Sequence, residues 1–134
     1  MKVLVDTSVW SLALRRRMPP NDAAVSELRV LVDHGRIAMI GPIRQEILSG
    51  IRDRAAFERL RDHLRAFPDE TLGTADFELA AEYFTTCRAR GLQGSNTDFL
   101  ICGVAHRRDF SILTIDRDFM RFASVLPIAL HSPS

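Results

Sequence analysis

Three short apolar runs constrain this chain more than any other feature: VLV at residues 3–5, RIAMI at 36–40 and SILTI at 111–115. None keeps the apolar–polar alternation of a half-buried strand, and each is followed by a turn signal and then by residues at helical spacing. Runs of this kind belong to strands covered on both faces, the usual condition of a parallel sheet. Parallel neighbours need crossovers long enough to hold a helix.

The intervals supply such crossovers. Thr7 or Ser8 is placed to cap a helix through Val9, Trp10, Leu12, Ala13 and Leu14, which RRRMPP ends because its two prolines cannot continue it. Asn21 or Asp22 starts a helix carrying Val25, Leu28, Leu31 and Val32, with Gly35 as its left-handed terminator. Pro42 opens a helix with Ile43, Glu46 and Ile47. The next has Ala56, Phe57, Leu60 and Leu64 on one side and arginines largely on the other. AFPDETL supplies a further strand, and Thr74 caps a helix with Phe77, Ala80, Ala81, Phe84 and Cys87. The turn GLQGSNTD then leads into the strongly apolar helix DFLICGVAHRR, and after SILTI come a short helix, RDFMRFA, and a last strand, PIALH. Alternation of this kind predicts a doubly wound α/β fold of about five parallel strands with helices on both faces. It forms one domain over residues 1–131 with a short tail at 132–134.

Composition narrows the function. No apolar run of the 134 residues approaches the roughly 18 to 20 needed to cross a bilayer, and MKVLV is too short for a signal peptide, so a cytoplasmic protein without a membrane role is expected. Cys87 and Cys102 sit in apolar helical settings, where buried free thiols are expected rather than a disulfide or zinc site. Eighteen basic residues, of which Lys2 alone is a lysine, face 17 acids for a net charge of +1. Gathering four acids in one pocket would leave the remaining surface with an excess of five positive charges, which suits a polyanion. Arginine is also the better residue for forked phosphate recognition. The plainer reading of the same arginines is solvated helix faces.

Several of the acids fall where an open parallel sheet gathers its function, beyond the carboxyl ends of the strands. Asp6 directly follows VLV. Asp116 follows SILTI, with Asp118 two residues on at a helix start. Asp98 opens the apolar helix before SILTI, and Glu46 lies about one turn into the helix after RIAMI. Taken singly, each acid could be a helix cap or a first-turn residue favoured by the helix dipole. Taken together, in the apolar settings LVDTSVW, NTDFLICGV and LTIDRDF, they predict a shared pocket whose mutual repulsion a cation would relieve. An all-oxygen set suits Mg²⁺ or Mn²⁺.

Asp6 in KVLVDTSVW, Glu46 in GPIRQEIL, Asp98 in NTDFLICGVA and Asp116 in LTIDRDF resemble, in order and setting, the acidic quartet of PIN-domain ribonucleases. The size resembles a VapC-type toxin of a toxin–antitoxin pair. The likeness runs from Met1 to about Leu130, and Thr7 or Ser8 after the first acid and Thr114 before the last are similar to the family's polar neighbours. It implies Mg²⁺- or Mn²⁺-dependent cleavage of single-stranded RNA with Asp6, Glu46, Asp98 and Asp116 as catalytic metal ligands. Asp118, Thr7 and Thr114 are then accessory, and Arg15, Arg16, Arg17, Arg44 and Arg117 are rim contacts to RNA. A VapB-type antitoxin and a homodimer are implied as partners. The histidines His34, His63, His106 and His131 are expected to be structural.

Three other functions compete. A receiver-like phosphorylation switch needs adjacent acids after the first strand and a lysine after the last core strand, whereas Asp6 is followed by Thr7 and the one lysine is Lys2. A haloacid-dehalogenase-like phosphatase needs D-x-D where this chain has DTS. A non-catalytic RNA- or partner-binding module of the same fold stays open as the alternative, with intact acids at all four places arguing against it.

Overall fold

β1 (Val3–Val5) is the middle strand of a parallel sheet, flanked by β2 (Ile37–Ala38) and β3 (Ser111–Leu113) in the order β2-β1-β3. The computed structural model describes residues 1–14 and 22–133. Register pairs Leu4 with Ala38 on one side and with Ile112 on the other. All three residues of β1 are wholly buried, as its unbroken apolar run requires.

The expected five strands shrink to three, and the outer two survive as single parallel bridges, Met39 to Asp69 and Ile112 to Leu130. In AFPDETL, Pro68 has no N–H to give and two charged residues follow it, so one rung forms, from Glu70 N–H to Met39 carbonyl at 2.8 Å. In the last segment two bonds form beside Leu130. Ile112 N–H donates to Ala129 carbonyl at 2.9 Å, and His131 N–H donates to Ile112 carbonyl at 2.7 Å. The spatial order is therefore the segment at Asp69, β2, β1, β3, then the segment at Leu130, with winding that reverses between β1 and β3.

The helices are α1 (Thr7–Ala13), α2 (Ala23–Asp33), α3 (Gly41–Leu48), α4 (Arg54–Leu64), α5 (Thr74–Ala89), α6 (Asn96–Arg108) and α7 (Asp118–Ala123). α1 packs on α2 and α3, and α3 on α4, while α5 pairs with α6, which lies against β3. These are two helical layers, as right-handed crossovers leaving β1 in opposite directions demand. Asp22 caps α2 by accepting from Ala24 and Val25 N–H, and Gly35, at φ +65°, ends it in the left-handed region. Thr7 and Thr74 are first helical residues rather than caps, the cap positions being Asp6 and Gly73. The expected stop of α1 at RRRMPP lies outside the described residues.

α6 is the buried spine of the molecule. Phe99 through Ala105 are all buried, the mark of a helix enclosed on every side. α5 runs antiparallel to it, and Gly103 permits the close approach, since a Cβ there would lie 3.3 Å from Ala80 N and 3.4 Å from the Asp76 carbonyl oxygen. Each large side chain so enclosed contributes roughly 1.5–3 kcal/mol. Cys87 and Cys102 are buried free thiols in this layer, and burial raises the proton affinity of both. Among the described residues no helix is long and apolar enough to cross a membrane.

Candidate active site

The reversal of winding between β1 and β3 opens a crevice at their carboxyl ends, where two crossovers part. Asp6 stands at the end of β1, one residue before α1, and is 5% exposed. Although it occupies the cap position of α1, its carboxylate makes no cap bond. Oδ2 instead accepts from Ser8 Oγ at 2.6 Å and from Thr114 Oγ1 at 2.9 Å. Ser8 Oγ accepts from Ile115 N–H at 3.3 Å, and Thr114 Oγ1 accepts from Asp116 N–H at 3.0 Å. Two hydroxyls thus fasten the end of β1 to the segment leaving β3 and hold the Asp6 carboxylate between them.

The other acids repeat a pattern set by Asp6. Glu46, on α3, takes a 2.6 Å bond on Oε1 from Thr7 Oγ1, so the residue after Asp6 reaches the acid 39 positions on. Asp98, the third residue of α6, takes Ser95 N–H on Oδ2 at 2.9 Å while Ser95 Oγ accepts Asp98 N–H, a reciprocal helix cap. Asp116 takes Asp118 N–H on Oδ1 at 2.9 Å. In all four, one carboxylate oxygen is held by a donor of the protein, and the other accepts no hydrogen bond among the described residues. Asp98 therefore caps its helix through one oxygen and still has a second oxygen that accepts no hydrogen bond among the described residues.

Charge behaves accordingly. Burial raises the pKa of Asp98 above the ordinary carboxylate value, and the negative charges of Asp6 and Asp116 raise it further, while the Ser95 hydrogen bonds pull it down. No described lysine, arginine or histidine forms an ion pair with Asp6, Glu46, Asp98 or Asp116. The crevice thus gathers negative charge and leaves it uncompensated. Among the described residues no three acidic, imidazole or thiol groups form a ready-made ion cage, so the fit to a metal lies in donor chemistry: hard carboxylate oxygens, each acid with one unoccupied.

Asp118, the first residue of α7, pairs with Arg121 at 2.8 Å and offers its backbone N–H to Asp116. Thr7 and Thr114 touch acids directly, and Ser8, read from the sequence only as a cap or polar neighbour, touches Asp6 as well. The D-T-S order carried that signal, since two hydroxyls directly after an acid can reach in two directions. Arg44 is committed elsewhere: its guanidinium donates to the Leu64 and Phe67 carbonyls, closing the end of α4, and pairs with Asp69 at 3.0 Å. Arg117 is exposed at the start of α7, and Arg15, Arg16 and Arg17 lie outside the described residues. His106 and His131 have partners away from the crevice, the Pro127 carbonyl and the buried Glu27.

Comparison with known proteins adds relatives to this geometry. The PIN domain family model matches residues 3–125. Over 120 residues the chain is 35% identical to VapC ribonuclease Mb1587 of Mycobacterium bovis and to ribonuclease VapC11 of Mycobacterium tuberculosis, covering 87% of this chain and 88% of each relative. Among solved structures it resembles VapBC2 from Rickettsia felis bound to a promoter DNA fragment, with TM-score 0.78, 18% identity and 98% of each chain covered. It also resembles FitAcB from Neisseria gonorrhoeae, with TM-score 0.74, 15% identity and coverage of 98% of this chain and 97% of that one.

Proposed function

The chain belongs to the PIN-domain family, and from that membership we propose that it is a VapC-type toxin, an endoribonuclease that cuts single-stranded RNA with the help of Mg²⁺ or Mn²⁺. The relatives that support it are named ribonucleases and match nearly the whole chain. The observation that supports the chemistry is the common treatment of four acids from distant parts of the sequence, each held by one oxygen while the other accepts no hydrogen bond among the described residues.

Asp6, Glu46, Asp98 and Asp116 would hold the metal, directly or through water. When bound it supplies Lewis-acid activation of water and neutralises charge on the scissile phosphate and leaving oxygen. The chain's own part is orientation. Ser8 and Thr114 fix the Asp6 carboxylate on the same oxygen, Thr7 fixes Glu46, and the first turns of α6 and α7 fix Asp98 and Asp116. Partial burial of the crevice strengthens every charge interaction inside it. No side chain needs to act as nucleophile, and the histidines are engaged elsewhere or lie on helix ends. Arg117, exposed beside Asp116, would meet the RNA backbone; Arg44 would not, because its guanidinium is bonded at the end of α4. A VapB-type antitoxin and a second copy of the chain complete the proposed assembly in the cytoplasm. Two solved relatives of the same fold, VapBC2 and FitAB, are described as bound to DNA.

The test is direct. Purified protein with Mg²⁺ or Mn²⁺ should cut a mixed single-stranded RNA pool and stop on addition of EDTA. Asp6→Asn should remove cutting and relieve growth arrest on expression in a bacterial host while keeping its circular dichroism spectrum. Cutting that persists in EDTA, or survives the substitution, would refute the metal-site reading.

A further inference from the structure

The loop from Gly91 to Ser95 carries two adjoining hollows, one on each side of Gln93. The larger, about 390 Å³, is bounded by Gln93, Asp118 and Arg121, and the smaller, about 120 Å³, by Gln93, Arg88 and Phe84. The larger includes Asp118, whose N–H holds Asp116, and the smaller includes Gly94, the residue before Ser95, whose N–H holds Asp98. The loop is pinned. Gly94 lies so close to an aromatic stack that a Cβ there would come within 2.7 Å of the Phe122 ring and 3.0 Å of the Phe99 ring. Phe99 in turn packs on Phe122 and Phe84 with centroids 4.9 and 5.5 Å away. A glycine pressed on two phenylalanines gives Gln93 a fixed base, yet the Gln93 side chain is exposed and makes no hydrogen bond among the described residues.

The flanking charges fit the same picture. Arg88 is exposed, lies 5.7 Å over the Phe84 ring and pairs with no carboxylate among the described residues. Arg121 is largely exposed and reaches back to Asp118. A free amide offers two donors and an acceptor, the equipment for reading one base edge, and a guanidinium on either side suits the phosphates before and after that base.

We propose that this ridge binds the substrate RNA beside the cut, with Gln93 reading one unpaired base and Arg88 and Arg121 holding the backbone on either side. The proposal rests on the ribonuclease reading for its substrate. An unpaired strand is required because an amide can reach a Watson–Crick edge only when no complementary base occupies it.

Two measurements test it, one of which needs no catalysis. Binding of a fluorescein-labelled random RNA 12-mer is followed by anisotropy in EDTA on the Asp6→Asn background. Adding Arg88→Ala should weaken it roughly threefold to tenfold and flatten its salt dependence, whereas Arg54→Ala, an arginine of α4 outside both hollows, should leave it unchanged. Sequencing the ends produced from a randomised RNA pool with Mn²⁺ should show Gln93→Ala erasing a base preference of about tenfold at one position next to the cut. Unchanged affinity in Arg88→Ala together with an unchanged cut pattern in Gln93→Ala overturns the proposal, as does a parent that binds no RNA. A parent that binds RNA through Arg88 without cutting it would refute the nuclease reading and leave the ridge standing.

Discussion

TADF at residues 74–77 and NTDF at 96–99 begin two neighbouring helices in almost the same way, and the carboxylates of Asp76 and Asp98 have opposite fates. Each is the third residue of its helix and takes a backbone N–H from the cap position, Gly73 at 2.8 Å and Ser95 at 2.9 Å. There the likeness ends. Asp76 is wholly buried and receives Arg108 at 2.6 Å and Arg107 at 2.7 Å, and chiefly the Arg108 hydrogen bond holds its pKa far below the usual range against the opposing effect of burial. Asp98 meets no cation, and burial followed by its acidic neighbours pushes its pKa up. The cause is antiparallel packing. The carboxyl end of α6, with its two arginines, lies at the start of α5, so α6 neutralises the acid of its neighbour and cannot reach its own. One carboxylate is neutralised by the fold and the other keeps its charge uncompensated among the described residues.

The sharpest way to break this contrast is to replace each acid by its amide. Asp98→Asn keeps an oxygen for the Ser95 N–H and removes the charge, so RNA cutting should fall by more than about 100-fold, beyond the loss usual for a residue that only supports a ligand. The urea midpoint should hold or rise. Asp76→Asn should do the reverse, with a loss of about 2–3 kcal/mol in urea unfolding, because two arginines lose a buried partner. That figure is set toward the low end because both guanidiniums keep some solvent. Undiminished cutting by Asp98→Asn would show that Asp98 is a cap and nothing more.

Acid titration separates the same two residues by sign. The folded pKa of Asp76 lies below its unfolded value of about 4, so its contribution is complete above that value and declines as pH falls through the acid range. The folded pKa of Asp98 lies above its unfolded value, so its ionised form opposes folding and the penalty fades as pH drops toward about 4. Wild-type protein without metal should therefore gain stability on mild acidification before losing it. Asp98→Asn should lose much of the gain and keep the loss, and Asp76→Asn should show the gain with a weaker loss. An identical pH profile for all three proteins would contradict both assignments.

How much of this could be read from the chain depends on distance along it. VLV, RIAMI and SILTI announced the central strands because burial on both faces leaves no choice of side chain, and Asp6, Asp98 and Asp116 stood out as charges in apolar settings. The edge segments were over-read, since Pro68 and Pro127 remove donors that a full strand needs. Asp76 gave no signal, because the arginines that make it structural lie 31 and 32 residues away and meet it only through the helix pairing. Arg44 misled for the same reason: its sequence neighbourhood is the acidic crevice, while its spatial neighbourhood is the end of α4. Buried runs are legible and helix starts are legible to within a residue, whereas which cation meets which acid is settled by tertiary packing.

The smallest effect distinguishes the two arginines that complete Asp76. Arg108 donates to both carboxylate oxygens and to the Thr71 carbonyl and is 21% exposed, whereas Arg107 makes a single bond and is 40% exposed. Solvent screens the Arg107 contact, and its loss leaves Asp76 still charged and still paired. Arg107→Ala should therefore cost below about 1 kcal/mol, and Arg108→Ala about 1–2 kcal/mol more, each read as a shift of the urea midpoint at neutral pH. In Asp76→Asn the two substitutions should become nearly silent, because the charge they answer has gone. If they stayed as harmful there, the arginines would be acting through packing on α5, and the neutralisation that separates Asp76 from Asp98 would have to be sought in another group.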